Sequence, residues 1–424
     1  MTPSRPQWQE KKMTRKPLAT LSPLCLCLLA GSAWADLSPY SLGGSETVQH
    51  QSNVLHDDND AHSDWLSTTE LDAGVDQALG RERLQAKAAV NIDRYKYFHS
   101  RDDVGYNGSA ELDWSTIGDL SGAIGGDVRR QQYLYGLGGD QQSTSPKNLQ
   151  TDDHAFARAQ LGGMGRWSIS SGFDASERRY SDPSFDVNDQ KQWGASLGTN
   201  YETSPDLSFG IQGRYIHGNY PKILIDSSTE TFSSKNVGAN VRWNASGNSS
   251  FNANLGYTQQ DTEGQLPQHF ISGALNWNWA PPSHFNFTLG LARDSSIDAS
   301  STASIVNTNT INTRSINNTG NLDVKYELTA KVSLDASAQY ILRKYSDAQI
   351  PTGFESNGSP VFQSASGDSR TSRIYIGAHY AATRTTDLNC GVAHETHTAS
   401  SAIVFFTPRY TDNTVQCVAA IRLD

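Results

Sequence analysis

Residues 269–294, "HFISGALNWNWAPPSHFNFTLGLARD", set apolar and polar side chains in alternation on both sides of a proline pair. Ile271, Gly273, Leu275, Trp277 and Trp279 share one face, with Ser272, Asn276 and Asn278 on the other, which is the period of a strand. After Ala280-Pro281-Pro282-Ser283 the alternation resumes, with Phe285, Phe287, Leu289 and Leu291 against Asn286, Thr288 and Gly290. The stretch reads as a β-hairpin closed by a tight proline turn. Its apolar face meets either a protein core or lipid, and the rest of the chain must decide which.

The pattern recurs. Eight hairpins are predicted, with joints at Gly80-Arg81-Glu82, Thr116-Ile117-Gly118, Gly163-Met164-Gly165, Glu202-Thr203-Ser204-Pro205, Ala245-Ser246-Gly247-Asn248, Pro281-Pro282, Leu328-Thr329-Ala330 and Thr383-Arg384-Thr385-Thr386. "YSLGGSETVQHQ" (40–51) and "NTVQCVAAIRLD" (413–424) add a first and a last strand, for about eighteen in all. Long polar stretches, 134–151, 218–232, 295–314 and 345–369, separate the hairpins. Short turns at one end and long loops at the other predict an all-β chain: a transmembrane antiparallel up-and-down barrel with periplasmic turns, extracellular loops and strands of roughly 10–13 residues. Aromatics sort in the same way. Trp114, Trp167, Tyr201, Trp243, Trp277, Trp279, Tyr326 and Tyr380 lie beside short turns, and Tyr95, Tyr106, Tyr215, Tyr257 and Tyr340 near long loops, as two interfacial girdles would require. A soluble β-helix or sandwich also alternates, but its second face would need a covering layer.

Composition agrees. A mean hydropathy of −0.55 with 36% hydrophobic residues excludes a bundle of spanning helices and leaves a barrel open. The start, "MTRKPLATLSPLCLCLLAGSAWADLSPY" from Met13, places Arg15 and Lys16 before an apolar run that ends in Ala33-Trp34-Ala35. Residues 1–35, read from Met1 or Met13, are expected to be a cleaved signal peptide, leaving 36–424 as the barrel. That segment holds five Lys/Arg and one Glu, so its removal takes the net charge from −10 to −14. An acidic exported chain of this kind points away from nucleic acid, and the barrel reading makes outer-membrane lipid its surroundings.

Several stretches together resemble the β-barrel porin group encoded in exopolysaccharide biosynthesis operons of Gram-negative bacteria, the EpsL type. They are "SNVL" (52–55) at the first strand end, "KNLQT" (147–151) at the entry to the sixth strand, the 269–294 hairpin followed by "YELTAKVSLDASAQYILRKY", and "LNCGVAHETH" with "YTDNTVQC" near the end. The resemblance implies an outer-membrane barrel associated with polysaccharide export, with the polymer and an export assembly as partners and with no catalytic residue to carry over.

Parity assigns the lumen. The candidate pore-lining residues are Asp72, Asp113, Asp127, Arg129, Arg158, Arg214, Arg242, Asn276, Asp323, Asp335 and Arg343. Acidic residues cluster on strands two to five and arginines on later ones, so the wall either carries a transverse field or pairs its charges across strands. Inward Asn91, Asn240, Asn252, Asn254 and Gln339, with loop tyrosines Tyr133 and Tyr135, suit sugar hydroxyls or simply a wetted wall. Of the enzyme-like pairings, His99 with Asp102 and Asp103 and His394 with Glu395 are the candidates, and neither comes with a nucleophile. His50, His56 and His62 with Asp57, Asp58 and Asp60 could hold a cation, though without EF-hand spacing. No catalytic residue, cofactor or metal ligand is assigned. Finally, Leu388, Cys390 and Val392 share a face, as do Val415, Cys417 and Ala419; antiparallel pairing of these sets predicts a disulfide between Cys390 and Cys417 on the outward face.

Overall fold

The computed structural model describes residues 38–133, 147–163, 165–225, 228–263, 267–295, 314–354, 360–403 and 409–423; the expected signal segment lies outside them. Among the described residues the strands are β1 Tyr40–Gln51, β2 Asp64–Leu79, β3 Glu82–Tyr95, β4 Asp103–Ser115, β5 Leu120–Gln132, β6 Leu149–Leu161, β7 Trp167–Tyr180, β8 Gln190–Ser204, β9 Leu207–Ile225, β10 Ser228–Ser246, β11 Ser249–Thr262, β12 Gln268–Trp279, β13 Phe285–Ser295, β14 Arg314–Glu327, β15 Val332–Phe354, β16 Pro360–Ala381, β17 Thr386–Ala399 and β18 Tyr410–Leu423. Each pairs antiparallel with its successor, and β1 also pairs with β18 from Leu42↔Leu423 to Gln51↔Thr414. The result is a closed 18-stranded up-and-down barrel, in which every strand has two neighbours and no sheet edge is left open.

Period-two alternation and register together fix the faces. Ile211, Val237 and Leu255, on successive strands, all point outward and are 62%, 65% and 64% exposed. Aliphatic side chains left bare around a whole sheet would be strongly unfavourable in water. The inward face carries the polar and charged set, so the usual arrangement of a soluble domain is inverted. Near the short-turn end, outward aromatics form a continuous ladder. Trp243 stacks on Phe251 at 5.5 Å and Phe251 on Trp277 at 5.7 Å; Trp279 meets Phe287 at 5.1 Å, and Phe285 meets Tyr326 at 4.5 Å. The hairpin at 269–294 behaves as its alternation requires: Trp277 opposes Leu289 on the outside, while Asn276 and Asn278 face inward. Its turn is closed by the Ser283 N–H donating to the Pro281 carbonyl at 2.6 Å. At the β2–β3 turn Gly80 takes a φ of +72°, a conformation a side chain would strain.

Three expectations are corrected. The stretches 218–232 and 345–369 are largely paired strand rather than open loop: β9 and β10 run on to Ile225 and Ser228, and β15 and β16 to Phe354 and Pro360. Their Ser, Asn and Thr side chains read as loop, but backbone hydrogen bonds are indifferent to that polarity, and β15 reaches 23 residues where about 13 were expected. Tyr95 does not join the outer girdle; it points inward and is 4% exposed. "SNVL" follows β1 rather than ending it.

Candidate functional site

Strand register places all eleven candidate lumen residues on the inward face: Asp72 on β2, Asp113 on β4, Asp127 and Arg129 on β5, Arg158 on β6, Arg214 on β9, Arg242 on β10, Asn276 on β12, Asp323 on β14, and Asp335 and Arg343 on β15. Around the wall they fall into sectors of different chemistry. On β2–β4, Glu70, Asp72 and Glu111 make no ion pair among the described residues, whereas Arg83 is tied to Asp76 at 2.6 Å. On β6–β9 two arginines are neutralised within the wall: Arg178 Nε lies 2.6 Å from Asp152 on the adjoining β6, and Arg214 Nη2 lies 3.0 Å from Asp174, two strands away on β7. Arg158 instead stands over the inward Phe156 ring at 4.1 Å. The acidic cluster and the arginines therefore do not form two opposed charged walls, because the five candidate arginines are spread over β5, β6, β9, β10 and β15, and Arg214 is tied to Asp174. The third sector, β11–β12, has no charged inward side chain and is lined by amides and hydroxyls. There Asn236 donates to Thr258 at 2.7 Å and to Ser272 at 3.0 Å, and Thr288 donates to Asn278 at 3.0 Å.

At the long-loop end residues 52–63 fold onto the inner wall. The Asn53 N–H donates to Asp412 at 2.8 Å, and Arg101 donates to the Val54 carbonyl at 2.7 Å. His56, at φ +52°, stacks on Tyr410 at 4.2 Å, which in turn stacks on His397 at 5.2 Å. This disperses the histidines and aspartates that could have held a cation. Asp57 accepts the N–H of Asn59, His62 pairs with Asp60, and among the described residues no three such side chains are placed to hold a metal ion. Nor does either enzyme-like pairing assemble. Asp103 is buried on Lys147 at 2.8 Å, and Asp102 caps the Tyr95 N–H, leaving only a 3.5 Å contact between His99 and Asp102. His394 and Glu395 occupy opposite faces: the first bonds outward-facing Asn413, the second accepts from the Tyr410 hydroxyl.

No family model matches the chain, and no curated protein does. Among solved structures it is similar to Pseudomonas aeruginosa OccK1 (OpdK), at 12% identity over 91% of this chain and 98% of that one, with a TM-score of 0.46. A second structure of the outer membrane protein opdK gives 13% identity over the same shares and a TM-score of 0.47. The FrpB iron transporter from Neisseria meningitidis (F3-3 variant) gives 14% over 87% of this chain and 64% of its own, with a TM-score of 0.45. The likenesses are weak, and the barrel stands on its own hydrogen bonding.

One lumenal feature was not singled out from the sequence. Tyr375 lies inward between the outward Ile374 and Ile376. Its ring rests along the wall over Gly377 and Gly391, where a Cβ at either position would overlap it, and its hydroxyl donates to Asn389 at 3.2 Å. The available signal was an aromatic at inward parity with a glycine two residues on. Tyr133, by contrast, is buried edge-on against Tyr180 and presents nothing to the lumen, and Tyr135 lies outside the described residues. Cys390 and Cys417 face each other on β17 and β18 and are joined, with their Cα atoms 4.1 Å apart.

Proposed function

We propose that the protein is a porin-like channel of the Gram-negative outer membrane that passes small polar solutes through its lumen, with the short turns on the periplasmic side. The observation that carries the reading is a closed hydrogen-bonded cylinder whose outer face is bare and apolar while its inner face is charged and amide-lined. In hydrocarbon only helices and closed barrels satisfy every backbone group, and aromatic girdles mark the interfaces of such a barrel. The unpaired acidic sector favours cations over anions. Passage of a polysaccharide, with an export assembly as partner, is the finer reading; the uncharged β11–β12 sector supports it. Purified, refolded protein in planar bilayers is expected to give discrete conductance steps with a cation-selective reversal potential. An electrically silent protein that is nonetheless folded would rule out the channel.

A further inference from the structure

We propose that the wall around Tyr375 is a binding subsite for a pyranose ring of an uncharged oligosaccharide. The inference rests on the channel reading only for access to the lumen. A sugar ring has an apolar C–H face and an equator of hydroxyls, each able to donate and to accept, so a site for it needs a flat apolar surface bordered by both kinds of partner. Tyr375 supplies the surface. Two glycines beneath it let the ring lie flat, the hydrogen bond to Asn389 fixes its edge, and the other face is left toward the lumen, half-buried. No bulkier residue at 377 or 391 would permit that posture.

The border is of the right kind. Tyr375 shares a recess of about 660 Å³ with Asn276, Gln339, Gln416, Asp323 and Arg373, within the roughly 300–1,000 Å³ of small-molecule sites. Amides provide donors and acceptors, Asp323 accepts only, and Arg373 donates only. The charge balance selects among ligands. Arg373 leans on Glu395 at 3.6 Å, so the recess offers no free cation, while Asp323, which accepts from the neutral amide of Asn321 at 3.0 Å, keeps its negative charge and repels anions. An anionic aromatic or phosphorylated solute would find the ring but no free cation, whereas a neutral sugar uses the whole set.

Single-channel recording of the full-length protein, with cellohexaose, maltohexaose, laminarihexaose and chitohexaose in turn and a polyethylene glycol of similar mass as control, tests this. The wild type is expected to show transient blocks by at least one oligosaccharide and none of comparable duration by the glycol. Tyr375→Ala should shorten the blocks about tenfold, Tyr375→Phe should keep most of the residence time, and Gly391→Ala, which lifts the ring, should act like Tyr375→Ala. Saturation-transfer NMR with the same sugars on detergent-solubilised protein needs no conduction. Transfer to the sugar C–H protons that is lost in Tyr375→Ala upholds the subsite even if the barrel proves silent. Failure of all four sugars to bind the wild type, or binding that is indifferent to the loss of the ring, overturns it.

Discussion

Removing the Cys390–Cys417 bond tests the closing hairpin directly. The two residues are 27 apart in sequence, and the chain-entropy model assigns a cross-link closing a loop of that length about 3.5 kcal/mol through restriction of the unfolded chain. Little of this should be offset by changes in the native barrel. The flanking pairs Asn389↔Val418 and Gly391↔Gln416 hold the register without the sulfurs, and both cysteines already face outward, so alanine introduces no polar group there. The double variant Cys390→Ala/Cys417→Ala should therefore fold to the same barrel and lose about 3–4 kcal/mol in denaturant titrations from lipid vesicles, with an altered m-value reflecting a more expanded unfolded chain. Treating the wild type with reductant should reproduce the loss. A double variant within about 1 kcal/mol of the wild type would mean that the bond does not restrain the unfolded chain as the model supposes. Free thiols at both positions in protein taken from membranes would refute the bond itself.

Face can be tested by neighbouring substitutions. Leu275→Arg should cost about 2–4 kcal/mol if it lies near the bilayer midplane, while Asn276→Arg, one residue on and inward, should mainly shift ion selectivity; equal destabilisation in refolding titrations would contradict the assigned parity. Arg242→Gln should move the reversal potential further toward cations with little effect on stability, because that side chain makes no ion pair among the described residues. Arg343→Ala should instead lower stability by about 1.5–3 kcal/mol, since the arginine is 3% exposed and bonds Asn317 at 2.9 Å; an unchanged denaturation midpoint would remove it from the framework. Asp412→Ala strips the acceptor from Ser52 and Asn53, and limited proteolysis should then cut within residues 52–63, where the wild type resists.

Parity was legible from the sequence because a strand's period is fixed at two residues, and every inward assignment from Asp72 to Arg343 follows from it. Turn chemistry was legible at Gly80 and Pro281 for the same local reason. What was not legible depends on neighbours that sequence proximity does not supply. That Arg214 meets Asp174 follows from the stagger of β9 on β8 and β7, and that His56 lies on Tyr410 follows from closure between the first and last strands. The His394–Glu395 pairing failed on the same alternation that succeeded elsewhere, since adjacent residues of a strand point apart. Tyr375 was passed over because its meaning lies in two glycines, one of them on the next strand.

The inner-wall fold of residues 52–63 also has a bearing on biogenesis. Its anchors, Asp412 and Asn413, come some 359 residues later in the chain, on β18, the strand that closes the barrel onto β1. If the polypeptide is exported from its beginning, as the signal-like sequence leads one to expect, this segment reaches its destination long before β18 exists there to hold it. Its docking is therefore tied to completion of the sheet: without β18 the segment has none of its partners on Tyr410, Asp412 and Asn413, and protease resistance of residues 52–63 would time the moment at which β18 meets β1.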